Sequence, residues 1–219
     1  RWALKKALDP DRDQSYVLYA MTQDQLAHTR FPLGELTKPQ VRRIAQAQGF
    51  GNAGKPDSQD ICFVPDGDYA KVVEQYTGRV SEPGDFVDRE GNVIAQHKGI
   101  IHYTIGQRRG LGIASTEPYY VCGISPEDNT VILGRSQDLM SNICEVREVN
   151  WISGEVPERT FACKAKIRYR QKEQPCIVTP AGSDGALIEF EEPQRAVTPG
   201  QSAVFYDGDI VIGGGVIVI

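Results

Sequence analysis

The sequence predicts an α+β protein that is mainly β, with a short helical N-terminal segment, a small β-rich central domain and a C-terminal antiparallel β-barrel. Residues 13–49 carry helix-start signals, whereas from about residue 80 the chain is a series of short strand-like runs separated by turns. Many short strands without intervening helices are typical of a small barrel.

Two helix starts stand out in the N-terminal segment. Thr22 with Gln25, and Thr37 with Gln40, have the spacing of capping boxes, in which each side chain satisfies a backbone group of the other residue. Gly49 is placed to end the second helix, because glycine readily adopts the left-handed conformation that follows a helix.

The pattern changes after residue 68. Residues 69–77 repeat apolar side chains with helical spacing and precede Gly78, which predicts one more short helix. Residues 86–95 and 119–134 are each typical of a β-hairpin. Further strands are predicted at 161–170, 174–180, 185–191, 201–206 and 209–213.

Composition and charge limit the classes of function. The 219 residues are 40% hydrophobic and 24% charged, as in an ordinary globular protein, and no apolar run approaches the ~18 residues of a membrane span. We therefore expect a cytoplasmic protein without membrane contact. A net charge of −5 argues against a surface that is basic all over, so any contact with nucleic acid must be local.

The cysteines divide into two groups. Four lie in strand-like runs, where a free cysteine is usually a small buried apolar residue: Cys122, Cys144, Cys163 and Cys176. Cys62 instead follows the polar run "GFGNAGKPDSQD" and precedes an apolar one, which suits a thiol that a substrate can reach. Asp57 and Asp60 would raise the pKa of this thiol, so the local sequence does not by itself show activation. No CxxC pair occurs and no metal site is predicted.

The clearest alternation is "FACKAKIRYR", residues 161–170. One face of this strand carries four basic side chains in five positions, Lys164, Lys166, Arg168 and Arg170. Two interpretations remain open: a solvated face whose charges discourage pairing at a sheet edge, or a surface that contacts phosphates of a nucleic acid.

A second basic stretch, residues 97–113, places Arg108 and Arg109 among glycines. It could form a backbone nest for an anion or a tight hairpin, and the hairpin is favoured. It has neither the P-loop nor the dinucleotide spacing. His97 and His102 make only a weak metal pair, since no carboxylate partner is near them in sequence.

Several long blocks resemble one family. "DRDQSYVLY" (11–19), "FPLGELTKPQVRRIA" (31–45), "KPDSQDICFV" (55–64), "GIIHYTIGQRRGLGI" (99–113) and "VTPGQSAVFYDGDIVIGGGVI" (197–217) are similar, in order, to the tRNA-specific 2-thiouridylases. The family's N-terminal ATP loop and second cysteine do not occur in this sequence. The resemblance implies the C-terminal part of such an enzyme: the end of the ATP-pyrophosphatase domain (1–65), a central domain (66–127) and a barrel resembling those of translation factors (128–219).

The resemblance also implies a chemistry. In this family ATP activates the C2 oxygen of the wobble uridine of tRNA, a donor protein delivers sulfur as a cysteine persulfide, and an upstream cysteine resolves the intermediate as a disulfide. By similarity the persulfide carrier is Cys62, and the tRNA-binding residues are Arg12, Asp13, Gln14, Arg168, Tyr169 and Gln201. Without the ATP loop, the isolated chain is expected to be an inactive part of this sulfurtransferase.

Arg168 and Tyr169 point to opposite faces of an ideal strand, so contact by both requires a strand end or a bulge. The main alternative function is a non-catalytic RNA-binding module with the same barrel. A stand-alone thiol oxidoreductase is disfavoured, because the sequence has no CxxC pair.

Overall fold

The computed structural model describes residues 1–55, 64, 69–78 and 80–218. Its helices are α1 (Ser15–Leu18), α2 (Gln23–His28), α3 (Lys38–Ala47) and α4 (Tyr69–Thr77), with 3-10 turns at Pro10–Arg12, Ile100–His102 and Ser136–Leu139. Its strands are β1 (Leu4–Lys5), β2 (Gly84–Val87), β3 (Val93–His97), β4 (Tyr120–Ser125), β5 (Thr130–Gly134), β6 (Met140–Trp151), β7 (Phe161–Lys166), β8 (Gln174–Ala181), β9 (Gly185–Arg195), β10 (Ser202–Asp207) and β11 (Ile210–Ile217). The predicted mainly β fold is confirmed.

The helix starts are as predicted. The Thr22 backbone N–H donates to Gln25 Oε1 at 2.9 Å, and the N–H of Gln25 donates back to Thr22 Oγ1 at 3.3 Å. At α3 the backbone N–H of Thr37 donates to Gln40 Oε1 at 2.6 Å. Gly49 follows α3 with a φ of +71°, which is the left-handed conformation expected just after a helix.

The chain divides into two compact units, and the first combines the N-terminal segment with the barrel. It contains residues 1–56, 142–193 and 197–219. Strands β6 to β11 form the barrel in the order β11-β10-β7-β8-β9-β6, and pairing of β11 with β6 closes it. Its centre is filled by apolar residues from every strand, including Val146, Ala165, Val178, Ile188, Phe205 and Ile217.

The N-terminal segment packs on the outside of this barrel. β1 pairs with the start of β11, and Tyr16, Tyr19 and Leu26 share a second apolar cluster with Val204 and Tyr206 of β10. Close approach here requires glycine in β11, because a Cβ on residue 214 would lie 2.7 Å from Cδ2 of the Tyr19 ring. This packing brings residues 10–16 next to the barrel residues that follow β7.

The second unit, residues 57–141 with 194–196, contains a four-stranded sheet in the order β3-β2-β5-β4. The two predicted hairpins are confirmed as the antiparallel pairs β2–β3 and β4–β5. β2 and β5 run parallel, and Phe86, Val121 and Val131 are fully buried between the sheet and its loops. The division of the chain at residues 65 and 127 stays a prediction.

Residues 98–113 differ from the favoured hairpin. They form a 3-10 turn and an irregular loop in which Gly106, Gly110 and Gly112 have positive φ angles. The ring of His97 is buried, with Nε2 3.1 Å from the Asn129 carbonyl oxygen and Nδ1 accepting the N–H of Gly99 at 3.0 Å. Both ring nitrogens are therefore used inside the protein and not for a metal.

Other details also depart from the sequence prediction. Only the run around Cys144 was identified as strand-like within β6, which extends over Met140–Trp151, and β7 ends at Lys166, four residues earlier than predicted. Within the described residues, no helix is long and apolar enough to span a bilayer. The same residues hold no cluster of three side chains that could bind a metal ion.

Candidate nucleic-acid interface

The turn before α1 is held by a carboxylate. Asp13 Oδ1 accepts the backbone N–H groups of Ala7 at 3.0 Å and Ser15 at 3.1 Å, and Oδ2 accepts the Ser15 hydroxyl at 2.6 Å. The Ser15 oxygen also lies 3.3 Å from the Tyr206 hydroxyl of β10. Asp13 thus ties the turn to the protein, and it leaves its two neighbours, Arg12 and Gln14, exposed.

Gln14 joins the N-terminal turn to the barrel. Its Nε2 donates to the Tyr169 hydroxyl at 2.6 Å. The Tyr169 ring packs edge-on against Tyr16 with ring centroids 6.0 Å apart, and the Tyr16 hydroxyl donates to the Ser202 carbonyl oxygen at 2.7 Å. Gln14 and Tyr169 therefore present one continuous polar and aromatic surface.

Arg168 and Gln201 border this surface through Thr198. The Arg168 guanidinium donates to Thr198 Oγ1 at 3.0 Å, and the Gln201 backbone N–H donates to the Thr198 carbonyl oxygen at 3.2 Å. The Gln201 carbonyl oxygen accepts the N–H of Ile217 at 2.7 Å, so the backbone of residue 201 is fixed while its side chain is exposed.

The end of β7 explains how Arg168 and Tyr169 can both be exposed. After Lys166 the chain bends and turns, and the Gln171 backbone N–H donates to the Arg168 carbonyl oxygen at 3.1 Å. Both side chains are exposed, and 38% of the Tyr169 surface remains accessible. The sequence required a strand end or a bulge at Arg168 and Tyr169, and the structure has a strand end.

Protection of a sheet edge does not account for the basic side chains of β7. Lys164–Lys166 pair with β10 and Phe161–Ala165 pair with β8, so β7 is an interior strand of the barrel. A solvated face and a surface that contacts phosphates both fit this position. Basic side chains remain exposed on and after it, at Lys164, Arg168, Arg170 and Lys172. Lys166 instead lies over the Tyr206 ring, 5.8 Å from its centroid.

The tyrosines below this surface are uncharged donors. Burial, with a smaller effect from Tyr19, raises the pKa of Tyr16 to about 12. Burial also raises the pKa of Tyr206 above its ordinary value, although the hydrogen bond with Ser15 lowers it. Because both hydroxyls stay protonated near neutral pH, they add no negative charge that would repel a phosphate.

The six predicted tRNA-binding residues fall in one unit. Gln14, Arg168, Tyr169 and Gln201 are linked directly or through Thr198, and Arg12 and Asp13 lie on the adjoining turn. Residues that the sequence did not single out border this surface or support it from below: Thr198 and Ser202, which are partly buried, and Tyr16 and Tyr206, which are buried. All four lie in quoted blocks, Tyr16 in "DRDQSYVLY" and the other three in "VTPGQSAVFYDGDIVIGGGVI", but nothing in the local sequence marks them as neighbours of Gln14, Arg168 or Tyr169.

Cys62 lies outside the described residues. The other four cysteines are free thiols in strands, Cys144 and Cys176 being buried and Cys122 and Cys163 partly so. Burial raises the pKa of Cys144 to about 12, and burial with the Asp138 carboxylate raises the pKa of Cys122. Neither thiol is activated as a nucleophile, as the sequence indicated.

Three family models match consecutive parts of the chain. Residues 1–66 match a tRNA methyl transferase HUP domain, residues 70–135 a tRNA methyl transferase PRC-barrel domain and residues 141–217 an aminomethyltransferase beta-barrel domain. Together these matches extend over almost the whole chain.

Curated relatives with the same function name match over the full length of the chain. The chain is 50% identical over 217 residues to the tRNA-specific 2-thiouridylase MnmA of Acetivibrio thermocellus, covering 99% of this chain and 60% of that protein. It is 49% identical over 218 residues to the enzyme of that name from Lachnoclostridium phytofermentans, and 48% identical over 217 residues to that from Clostridioides difficile. The chain thus spans about 60% of the length of these relatives.

Proposed function

Since the chain belongs to the tRNA-specific 2-thiouridylase family, we propose that it is part of an enzyme that replaces the C2 oxygen of the wobble uridine of tRNA with sulfur. One observation carries this proposal beyond the relatives' names. The N-terminal turn and the barrel place Gln14, Arg168 and Tyr169 on a single exposed surface. A basic and aromatic surface of this kind fits an RNA strand with an unstacked base.

The residues of this surface have separable roles in the proposal. Arg168 neutralises a backbone phosphate, and Tyr169 offers its ring to a base while Gln14 and Tyr16 fix its orientation. Asp13 is unsuited to contact phosphate, because its carboxylate is negative and accepts three hydrogen bonds from this chain. We assign it the role of holding the turn.

Sulfur transfer is assigned to Cys62, which occupies the cysteine position of the family block "DSQDICF". A donor protein loads this thiol as a persulfide. Its terminal sulfur then bonds to C2 of the uridine, the C2–O bond breaks, and the oxygen that ATP has activated leaves. The target base must leave its stack to be reached, as in other enzymes that modify bases. An upstream cysteine of the complete enzyme would resolve the intermediate as a disulfide.

ATP is the cofactor that the family implies, and it would activate the C2 oxygen of the uridine. The residues of this chain do not fit its site. No glycine-rich phosphate loop follows β1, which instead leads to the Pro10–Arg12 turn. No role is therefore assigned to these residues in binding ATP, and the isolated chain should neither hydrolyse ATP nor thiolate tRNA.

Replacement of Cys62 tests the proposal. In the complete cytoplasmic enzyme, Cys62→Ser should abolish 2-thiouridine, measured by mass spectrometry of nucleosides from the tRNA product, and leave tRNA affinity unchanged. Cys122→Ser is the matched control. This thiol is partly buried in the β4–β5 hairpin and should be dispensable for thiolation. Full thiolation by the Cys62→Ser enzyme would refute the assignment.

A non-catalytic RNA-binding module is the second candidate, because the basic surface alone would serve it. Under that function Cys62 would react with an alkylating reagent no faster than the buried thiols of Cys144 and Cys176. Timed alkylation followed by peptide mapping separates the two functions. The family-model names mention methyl transfer. The same nucleoside analysis would detect a methylated uridine if the enzyme added a methyl group instead of sulfur.

A further inference from the structure

Two cysteines of the barrel face each other across neighbouring strands. Cys163 of β7 and Cys176 of β8 are direct partners in the antiparallel register, and their sulfur atoms lie 3.7 Å apart. Among the cysteines of the described ranges, this is the one pair whose sulfurs are within hydrogen-bonding distance. A disulfide needs a sulfur separation of ~2.05 Å, so closing this pair requires a movement of under ~2 Å.

We propose that Cys163 and Cys176 are an oxidisable pair that forms a reversible disulfide across the β7–β8 ladder. The oxidant is a peroxide. The Cys163 sulfur attacks one peroxide oxygen, the O–O bond breaks, and a sulfenic acid and water form. The Cys176 sulfur then attacks the Cys163 sulfur, the S–O bond breaks, and a second water leaves with the Cys176 proton. The two thiols lose two electrons and two protons in total.

Burial decides the order of these steps. Cys176 is 2% exposed, whereas Cys163 is only partly buried and can meet a small oxidant from solvent. The hydrogen bond with Cys163, followed by burial, raises the pKa of Cys176, so Cys176 is the less reactive of the two thiols towards peroxide. Cys163 is therefore the first to react and Cys176 the resolving group.

The bond would be open to reduction from the Cys163 side. Cys163 is only partly buried, so a thiol reductant can attack its sulfur, break the S–S bond and release the Cys176 thiol; a second reductant thiol then frees Cys163. β7 continues into the turn that carries Arg168 and Tyr169, so the pair adjoins the candidate nucleic-acid interface.

Peptide mapping of the oxidised chain tests this proposal. Trypsin places Cys163 in the peptide 160–164 and Cys176 in the peptide 173–195, and the other three cysteines lie on separate peptides. After treatment with hydrogen peroxide and blocking of the remaining thiols, we expect the 160–164 and 173–195 peptides to be linked. Two of the five thiols should be lost per chain, and dithiothreitol should restore both.

Variants separate the two roles. Cys176→Ser should accumulate a sulfenic acid on Cys163 that dimedone labels, and Cys163→Ser should leave Cys176 reduced. Cys122→Ser should form the linked peptides as fully as the unchanged protein. The proposal fails if Cys163 oxidises while Cys176 stays open to alkylation after unfolding. It also fails if either cysteine links instead to another position.

Discussion

Replacement of Arg168 by glutamine should weaken tRNA binding and make it less dependent on salt. Arg168 is exposed at the end of β7, and Thr198 Oγ1 accepts a hydrogen bond from its guanidinium. Glutamine keeps a polar side chain of moderate length and removes the positive charge. The substitution therefore tests the contact with phosphate without changing the fold of the turn.

The size of the effect follows from the number of exposed cations. Five lie on or beside this surface: Arg12, Lys164, Arg168, Arg170 and Lys172. If each neutralises one phosphate, the logarithm of the association constant should fall against the logarithm of salt concentration with a slope of about −3.5 to −4.5. Between about 50 and 200 mM salt, affinity would then fall about 100- to 500-fold.

Arg168→Gln should reduce that slope by about 0.7 to 0.9 and lower affinity by about 1 kcal/mol, or roughly fivefold, at moderate salt. Fluorescence anisotropy with labelled tRNA, repeated over a series of salt concentrations, measures both quantities. Urea unfolding of the same variant should be unchanged, because the side chain is exposed.

Arg147→Gln is the matched control. Arg147 is an exposed arginine of β6, three strands from β7 in either direction around the barrel, and it pairs with Glu145. It should leave both slope and affinity unaltered. An unaltered slope in Arg168→Gln, or an equal reduction in both variants, would refute the placement of phosphate beside β7.

Two further predictions concern a neutral contact and an acid in the second unit. Tyr169→Phe removes the hydroxyl that accepts a hydrogen bond from Gln14 and keeps the ring packed against Tyr16. The affinity for tRNA should therefore fall by at most about tenfold, the worth of one hydrogen bond, and its salt dependence should not change. A changed salt slope in the same anisotropy assay would contradict this prediction. The Arg135 backbone N–H and the Arg89 guanidinium hold the pKa of Asp138 below its usual range, so Asp138 stabilises the fold above about pH 4 and this contribution is lost as pH falls through its folded pKa. Urea titrations at a series of pH values measure this effect. Between about pH 5 and 3, the free energy of unfolding should fall less in Asp138→Asn than in the unchanged protein. An equal fall in both proteins would count against the contacts of Asp138.

Local features of the sequence predicted local structure. The capping boxes at Thr22 and Thr37 and the two hairpins of the second unit appear where the sequence placed them. Each depends on residues fewer than about fifteen positions apart, whose backbone preferences act without help from distant contacts. The long quoted blocks likewise carried the family resemblance without any structural information.

The loops and strand ends were harder to predict. Residues 98–113 bond to β4 instead of pairing with themselves as a hairpin would: the Gly106 N–H donates to the Val121 carbonyl oxygen at 2.8 Å, and the Val121 N–H donates to the Gln107 carbonyl oxygen at 2.9 Å. β7 stops at Lys166 although the alternation continues to Arg170, since the chain turns at Arg168 and no partner strand continues the ladder. Alternation marks which residues can form a strand and does not mark where pairing ends.

The mainly β fold, the helix starts, the family and the basic character of residues 164–172 could all be predicted from the amino-acid sequence. The folded chain was needed to show that β7 is an interior strand, that Asp13 turns inward, that Gln14 meets Tyr169 and that Cys163 faces Cys176. These four features depend on strand register and on contacts between distant parts of the chain. These contacts join residues up to 155 positions apart, and their alignment follows from closure of the barrel and from the packing of the N-terminal segment against it.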